Sequence, residues 1–308
     1  MFLSSEEKKN LENGGYRLVG KHKHSAIEVC RWTKKSLLDE GVCYKQKFYE
    51  NIHGNKSHRC LQMTPSLPFC NNRCIFCWRN SEANSPSWEG EVDDPSDILN
   101  EAIEAQKKLL SGFKGNPKAN KEKWREAQTP NLTAISLDGE PTLYPRISSL
   151  IEECRKQNIT PFLVTNGQNP KVLEKMVEPD QLYISASAPD EKTYVEACRP
   201  LVSDSWDNLN RSLETMASFS CVKVLRLTLV EKLNLKNPEG YAELINKAEP
   251  DFVEPKGYVA VGHSRSRLGT SYMPTHRKIK KFARNLADLT GYSLVDEFEP
   301  SRVALLKS

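Results

Sequence analysis

Six times from residue 61 onward, a short apolar, strand-like run is followed by an amphipathic stretch of helical period. This alternation is how parallel βα units read in a sequence, and six of them in tandem can close partly into a barrel with the helices outside. Strands are expected at 61–63, 132–137, 161–164, 182–186, 222–230 and 252–258. Helices are expected at 97–110 (capped by Ser96), 147–157, 170–177, 241–248 and 275–289, with further helical segments ending near 219. Residues 1–59 are basic and irregular and read as an extension wrapped on the rest; 114–128 reads as an exposed loop. The expected division is an extension at 1–60, a barrel at 61–290 and a two-stranded tail at 291–308 packed on the barrel.

In barrels of this kind chemistry gathers at the carboxyl ends of the strands. The residues found there are Cys70, Cys74 and Cys77, then Asp-Gly-Glu-Pro at 138–141, Thr-Asn-Gly at 165–167, Ser185 with Ser187, Thr228, and Lys256. Each alone is an ordinary turn or cap residue. Packing does not account for all six strand ends being polar.

Composition narrows the class. With 27% charged and 38% hydrophobic residues, the 308-residue chain lacks the depleted, one-signed make-up of disorder. No apolar run approaches a membrane span, and the opening MFLSSEEKKN lacks a basic-then-apolar export pattern. The expectation is a folded cytoplasmic protein with no membrane partner. Its nine cysteines are an odd number, which argues against a disulfide framework and for metal or redox chemistry. Six lie between Cys30 and Cys77; Cys154, Cys198 and Cys221 stand singly in regular segments and read as core thiols. The net charge of +4 hides a polarity: residues 256–284 hold eight Lys or Arg and no acid, and residues 82–104 hold eight acids and no Lys or Arg. A polyanionic partner on one face, or a pair of solvated helix faces, would each explain it.

Cys70, Cys74 and Cys77, separated by three and two residues, can bring three thiolates to one point. Three cannot complete a structural zinc site or a conventional cubane; either a His or distant Cys completes a zinc site, or a 4Fe–4S cluster keeps one iron open. Gly139 lets the backbone approach a ligand and Glu140 offers an acceptor for an ammonium group. Cys30, Cys43 and Cys60, with twelve and sixteen residues between them, repeat the count of three. They are either buried or unpaired thiols or a second cluster with an open iron. Lys45, two residues from Cys43, should lie close to it.

The cysteine spacing, with Phe76 and Trp78, resembles the signature of the radical S-adenosylmethionine superfamily. Over nearly the whole chain the sequence resembles the tRNA 4-demethylwyosine synthase family. The stretches that carry the resemblance are Cys70-Asn-Asn-Arg-Cys74-Ile-Phe-Cys77-Trp-Arg79 with its lead from Met63, Ser136 to Pro145, Phe162 to Gly167, Arg226-Leu-Thr228, Glu254-Pro-Lys-Gly-Tyr258, and the pair Cys43 and Lys45. The resemblance implies two 4Fe–4S clusters, on Cys70/Cys74/Cys77 and on Cys30/Cys43/Cys60. It also implies S-adenosylmethionine, its amino group docked at Gly139, Glu140 and Pro141, with Thr165, Asn166, Ser185, Ser187 and Thr228 around the cofactor.

The implied substrates are N1-methylguanosine beside the anticodon of phenylalanine tRNA, and pyruvate as two-carbon donor. Pyruvate would be held on the second cluster or as an imine on Lys45; a charged Lys45 could instead pair with its carboxylate. Basic stretches at 21–47 and 256–284, with Lys256, Arg265, Arg267, Arg277, Lys278, Lys280 and Lys281, would meet tRNA phosphates, and Trp78 or Tyr258 would stack on the extracted base. The chain resembles the archaeal form without a flavodoxin-like domain, which implies a separate flavodoxin- or ferredoxin-type electron donor; a monomer is expected. Two other readings compete: a radical S-adenosylmethionine enzyme acting on another nucleic acid or metabolite, and a non-catalytic zinc protein that binds RNA.

Overall fold

The computed structural model describes residues 3–308, so the first two positions of the expected extension lie outside the described residues. The chain gathers into two compact units. One holds the residues through Phe69 together with Trp88–Leu163, and the other holds Cys70–Ser87 together with Val164–Ser308.

In the first unit, β1 (Arg17–Val19), β2 (Ser25–Ile27), β3 (Cys60–Thr64), β4 (Leu132–Ile135) and β5 (Thr160–Thr165) pair in chain order. The first two join antiparallel, with Ile27 opposite Met63; from β3 to β5 the pairing is parallel and sets Met63, Ile135 and Leu163 in one fully buried row. The helix Pro95–Gly115 covers this unit with a stripe of Ile98, Leu99, Ala102, Gln106 and Leu110. Its cap is Asp94, whose carboxylate accepts from the Ser96 amide, not Ser96 itself. Pro95 explains the shift: it fits the first helical position, where a missing N–H costs nothing, so the residue before it becomes the cap.

Residues 1–59 depart most from their irregular reading. They form the helices Ser5–Asn13, Arg31–Leu37 and Tyr44–His53 as well as β1 and β2. The 114–128 loop also contains a helix, Lys121–Glu126, capped by the Asn120 side chain, and the Trp124 indole donates to the Leu110 carbonyl at 3.0 Å. The acidic block meets part of the basic stretch at 21–47. The His22 ring lies 2.6 Å from the Asp93 carboxylate, and Lys23 lies 3.7 Å from Glu101.

In the second unit, β6 (Gln181–Ser185), β7 (Val222–Leu229) and β8 (Phe252–Gly257) run parallel, and β9 (Ser293–Phe298) and β10 (Val303–Lys307) form an antiparallel pair joined through β10 to β8. The sequence of β7 alternates. Leu225, Leu227 and Leu229 are fully buried on one face, each contributing about 1.5–3 kcal/mol. Its other face carries Arg226 and Thr228, and the register brings Ser185, Arg226 and Glu254 into one row and Thr228 and Lys256 into the next. Helices Ser205–Ala217 and His276–Thr290 bury Leu209, Leu213 and Met216, and Ile279, Phe282 and Leu286, at helical spacing. No described helix is long and apolar enough to cross a membrane.

Candidate functional site

In the second unit the loop carrying Cys70, Cys74 and Cys77 is pinned along its length. Asn72 forms an antiparallel bridge with Pro200, the Leu201 amide donates to the Asn71 carbonyl at 2.8 Å, Arg73 donates to the Cys198 carbonyl at 3.1 Å, and Ile75 donates to that of Ala197 at 3.0 Å. The loop thus lies against the carboxyl end of the helix Glu191–Cys198. From the other side Arg267 donates to the carbonyls of Ile75, Cys77 and Arg79. The approach of residue 262 is close enough that a Cβ there would stand 2.3 Å from the Trp78 carbonyl oxygen, so only glycine fits.

Asn166, at the end of β5, donates to the Asn71 side-chain oxygen at 3.2 Å and lies 3.8 Å from the Cys70 sulfur. Behind it, Tyr194 accepts from Asn72 at 3.0 Å and from Gln168 at 2.8 Å. Thr165 is buried and accepts from the Gly167 amide, which shapes the turn. Ser185 and Thr228 are half-buried and Ser187 is buried. The fully buried Asn234 donates to the Ser187 and Thr228 carbonyls at 2.6 and 2.8 Å and so fixes these two strand ends; its role has no local sequence signature. In the same sheet face Arg226 donates to the fully buried Glu254 at 3.0 Å and lies 4.4 Å over the Tyr183 ring.

In the first unit, the turn after β4 is set by Gly139 at φ +66°. A Cβ at Gly139 would meet the Ser66 and Phe69 carbonyl oxygens, so glycine here also makes room for the chain itself. Glu140 is buried, and its carboxylate accepts from the Thr142 amide at 3.1 Å and hydroxyl at 2.6 Å, which orients it. Pro141 opens the following 3₁₀ turn, where a proline is preorganised.

The same unit assembles the other three cysteines. Cys30 precedes the helix Arg31–Leu37, Cys43 precedes Tyr44–His53, and Cys60 opens β3. Ser57 staples the three segments: its carbonyl accepts from Thr33 at 2.9 Å, its hydroxyl accepts from the Cys43 amide at 2.8 Å, and its amide and hydroxyl donate to Gln46 at 2.7 and 2.8 Å. Burial raises the Cys60 thiol pKa, Cys30 and Cys43 raise it further, and Lys45 opposes them, so Cys60 feels all three groups. Burial also raises Cys30, and the Trp32 and Thr33 amides of its helix start pull it back. The Lys45 ammonium lies 5.6 Å from the Phe162 ring centre, and His53 packs on the same ring at 4.9 Å.

None of the six thiols is in a disulfide and all are half-buried, on backbone fixed by hydrogen bonds, so each set has the donor chemistry that a cluster would need. Among the described residues no three His, Cys, Asp or Glu side chains are drawn in tightly enough for a single ion. A four-iron cube spreads its thiolates over separate corners and needs a wider set.

The basic residues divide. Lys278 pairs with Glu231 and Lys280 with Glu297, both at 2.7 Å, and Arg267 serves the cysteine loop. Arg265, Arg277, Lys281 and Arg284 are exposed, the last three at helical spacing along one face, and Lys256 is half-buried in β8. Trp78 is exposed beneath the Arg79 guanidinium, whereas Tyr258 is buried with its hydroxyl on Ser264, which removes it as a stacking surface.

Two family models match, the radical SAM superfamily over residues 64–245 and wyosine base formation over 247–308. An S-adenosyl-L-methionine-dependent tRNA 4-demethylwyosine synthase from Pyrococcus horikoshii is 49% identical over 302 residues, covering 94% of this chain and 85% of that protein. A rice protein of the same description is 39% identical and covers 96% of this chain and 45% of its own length. A solved structure of TYW1 with a lysine-pyruvate adduct bound superposes with a TM-score of 0.88 at 35% identity, covering 100% of this chain and 97% of that one; archaeal TYW1 gives 0.80 at 31%, covering 99% and 96%. Strands β3 to β8 with their helices are therefore the partial (βα)6, TIM-like barrel of the radical S-adenosylmethionine enzymes. Matched across nearly all of its length, the chain belongs to the S-adenosyl-L-methionine-dependent tRNA 4-demethylwyosine synthase family.

Proposed function

We propose that this enzyme condenses N1-methylguanosine, beside the anticodon of phenylalanine tRNA, with pyruvate to give the tricyclic 4-demethylwyosine base. The observation that carries the reading is the pair of three-thiol sets, one of them within electrostatic reach of Lys45. Cys70, Cys74 and Cys77 would hold one 4Fe–4S cluster and Cys30, Cys43 and Cys60 a second. Given an electron from its donor and with S-adenosylmethionine bound, the first cluster would supply a 5′-deoxyadenosyl radical able to take hydrogen from the N1-methyl group.

The residues of the chain do the rest. Glu140, already oriented by Thr142, accepts from the ammonium group of the methionine moiety. Gly139 and Pro141 fix the turn that presents it, and Thr165, Asn166, Ser185, Ser187 and Thr228 line the remainder of the cofactor. Lys45 Nζ adds to C2 of pyruvate and water leaves, giving an imine; the lysine-pyruvate adduct described for the related TYW1 structure supports this mode. The methyl carbon radical joins C2, the C1–C2 bond breaks and C1 leaves as carbon dioxide, the electron set free replacing the one spent in cleaving S-adenosylmethionine; the exocyclic amine of guanine then displaces Lys45 as the third ring closes. Arg265, Arg277 and Lys281, with Lys256, hold tRNA phosphates, and Trp78 stacks on the base once it is extracted, a step costing a few kcal/mol. The enzyme works as a cytoplasmic monomer and receives electrons from a separate flavodoxin- or ferredoxin-type donor.

Anaerobic reconstitution tests this. About eight irons per chain are expected from two four-iron clusters, and tricyclic base should form only when methylated tRNA, pyruvate, S-adenosylmethionine and reductant are all present. Product without pyruvate, or full activity with a single cluster, would refute it.

A further inference from the structure

Cys198 reads in the sequence as an ordinary core thiol at the end of an amphipathic helix. The structure gives it a different neighbour. The bonds that pin Asn71, Arg73 and Ile75 to residues 197–201 run in antiparallel register and carry Cys198 alongside Cys74. Flanked by the bonds of Arg73 to Arg199 and of Ile75 to Ala197, Cys198 faces Cys74 directly across the pair, and it is 3% exposed. The buried Tyr194 phenol accepts from Asn72 and Gln168, and the buried Tyr241 phenol donates to the Asn234 carbonyl.

We propose that Cys198 donates its S–H to the Cys74 sulfur and thereby raises the reduction potential of the radical-generating cluster. The inference rests on Cys70, Cys74 and Cys77 holding that cluster. A thiol bound to iron has given up its proton, so in the Cys74–Cys198 pair the hydrogen of the bond belongs to Cys198. A donor aimed at a cluster sulfur stabilises the more negative, reduced state over the oxidised one, and such outer contacts are among the protein's levers on cluster potential. Cys198 is a positioning residue here: it touches the ligand, not the substrate. It also answers a need of this chemistry, because the cluster must accept an electron from a donor before any radical forms.

The test is the midpoint potential of the cluster whose EPR signal changes on adding S-adenosylmethionine, measured in the anaerobic holoenzyme alongside iron content. In C198A the potential should fall, with a several-fold lower ratio of reduced to oxidised cluster at a fixed poise, while iron stays at the wild-type level. In C198S a hydroxyl donor returns and the potential should recover to wild type or above. Loss of that cluster in C198A with retention in C198S also supports a required donor. An unchanged potential in C198A overturns the proposal, and so does loss of the cluster in both variants, which would make the sulfur itself an iron ligand. A C70A control separates the two assignments. If C70A loses the S-adenosylmethionine-sensitive signal and C198A is unchanged, only the donor role of Cys198 fails; if C70A keeps the signal, the ligand set fails and the inference falls with it.

Discussion

A Cβ placed on Gly139 would stand 2.1 Å from the carbonyl oxygen of Ser66. The obstruction is main chain, so it cannot swing aside, and the positive φ adds its own penalty for any residue with a side chain. The variant G139A is expected to lose about 3 kcal/mol of stability and to bind S-adenosylmethionine far more weakly. Urea unfolding and a cofactor titration check this; wild-type values for both would show that the turn relaxes without cost.

Acid should loosen the first unit through His24. Its Nδ1 donates to the Pro65 carbonyl at 2.8 Å and its Nε2 accepts from the Asp93 amide at 3.0 Å, so the ring is held neutral. Asp93 Oδ2 lies 3.3 Å away and favours the cation, but burial outweighs it and lowers the pKa. The unfolded chain then takes up a proton near pH 6.5 where the folded one does not. The stability His24 contributes is complete above that pH and is lost as pH falls from there toward its lowered folded value. Unfolding free energy measured from pH 8 to 5 should decline in this window, and H24Q should flatten the decline; an unchanged slope in H24Q would assign the loss elsewhere.

Lys45 can be tested without relying on turnover alone. K45R keeps the charge but forms no imine under these conditions, so borohydride with labelled pyruvate should leave its label on the wild type and none on K45R. Product formation should fall at least roughly a hundredfold, with both cluster signals intact. Labelling of K45R at another lysine would displace Lys45 from its proposed role.

The division among basic residues makes a sharper prediction than net charge does. Replacing Arg277, Lys281 and Arg284 by Gln should lower the salt slope of tRNA binding by about 2, at roughly 0.7 to 0.9 for each phosphate contact. Replacing Lys278 and Lys280, already paired with Glu231 and Glu297, should change it little. Equal effects from the two sets would mean that the ion pairs open when RNA binds.

For Arg267 the expected outcome concerns iron. Its guanidinium serves three carbonyls of the cysteine loop at once, and a lysine ammonium cannot reproduce that fork. R267K should therefore release the cluster of Cys70, Cys74 and Cys77 faster on exposure to chelator. An unchanged release rate would return Arg267 to the RNA surface.

The strand ends were legible because each is a local event: an apolar run stops and a polar residue follows, as at Leu137 and Asp138 or Thr165 and Asn166. Local patterning also exposed both sets of cysteines as candidates. It failed in the first sixty residues, where Arg31–Leu37 and Tyr44–His53 are short and polar and owe their order to the bonds of Ser57 and Gln46 rather than to periodic apolar faces. The basic stretch at 21–47 reads as a polyanion contact, yet within it His22 and His24 meet Asp93, some seventy residues away. Cys198 and Arg267 share that difficulty. One sits on an apolar helix face and the other in a basic run, so each matched a common pattern, and only the pairing of residues 71–75 with 197–201 and 267 exposes their partners.

That pairing imposes an order on maturation. Cys30, Cys43 and Cys60 and the Ser57 staple that arranges them all lie within the first sixty residues, whereas the seat for Cys70, Cys74 and Cys77 is incomplete until translation has passed residue 267. On a ribosome adding about 5–20 residues per second, at least ten seconds separate the emergence of the two, so Cys70, Cys74 and Cys77 leave the exit tunnel as unsupported thiols. They wait there for a cradle still being synthesised, open to oxidation for the whole of that interval.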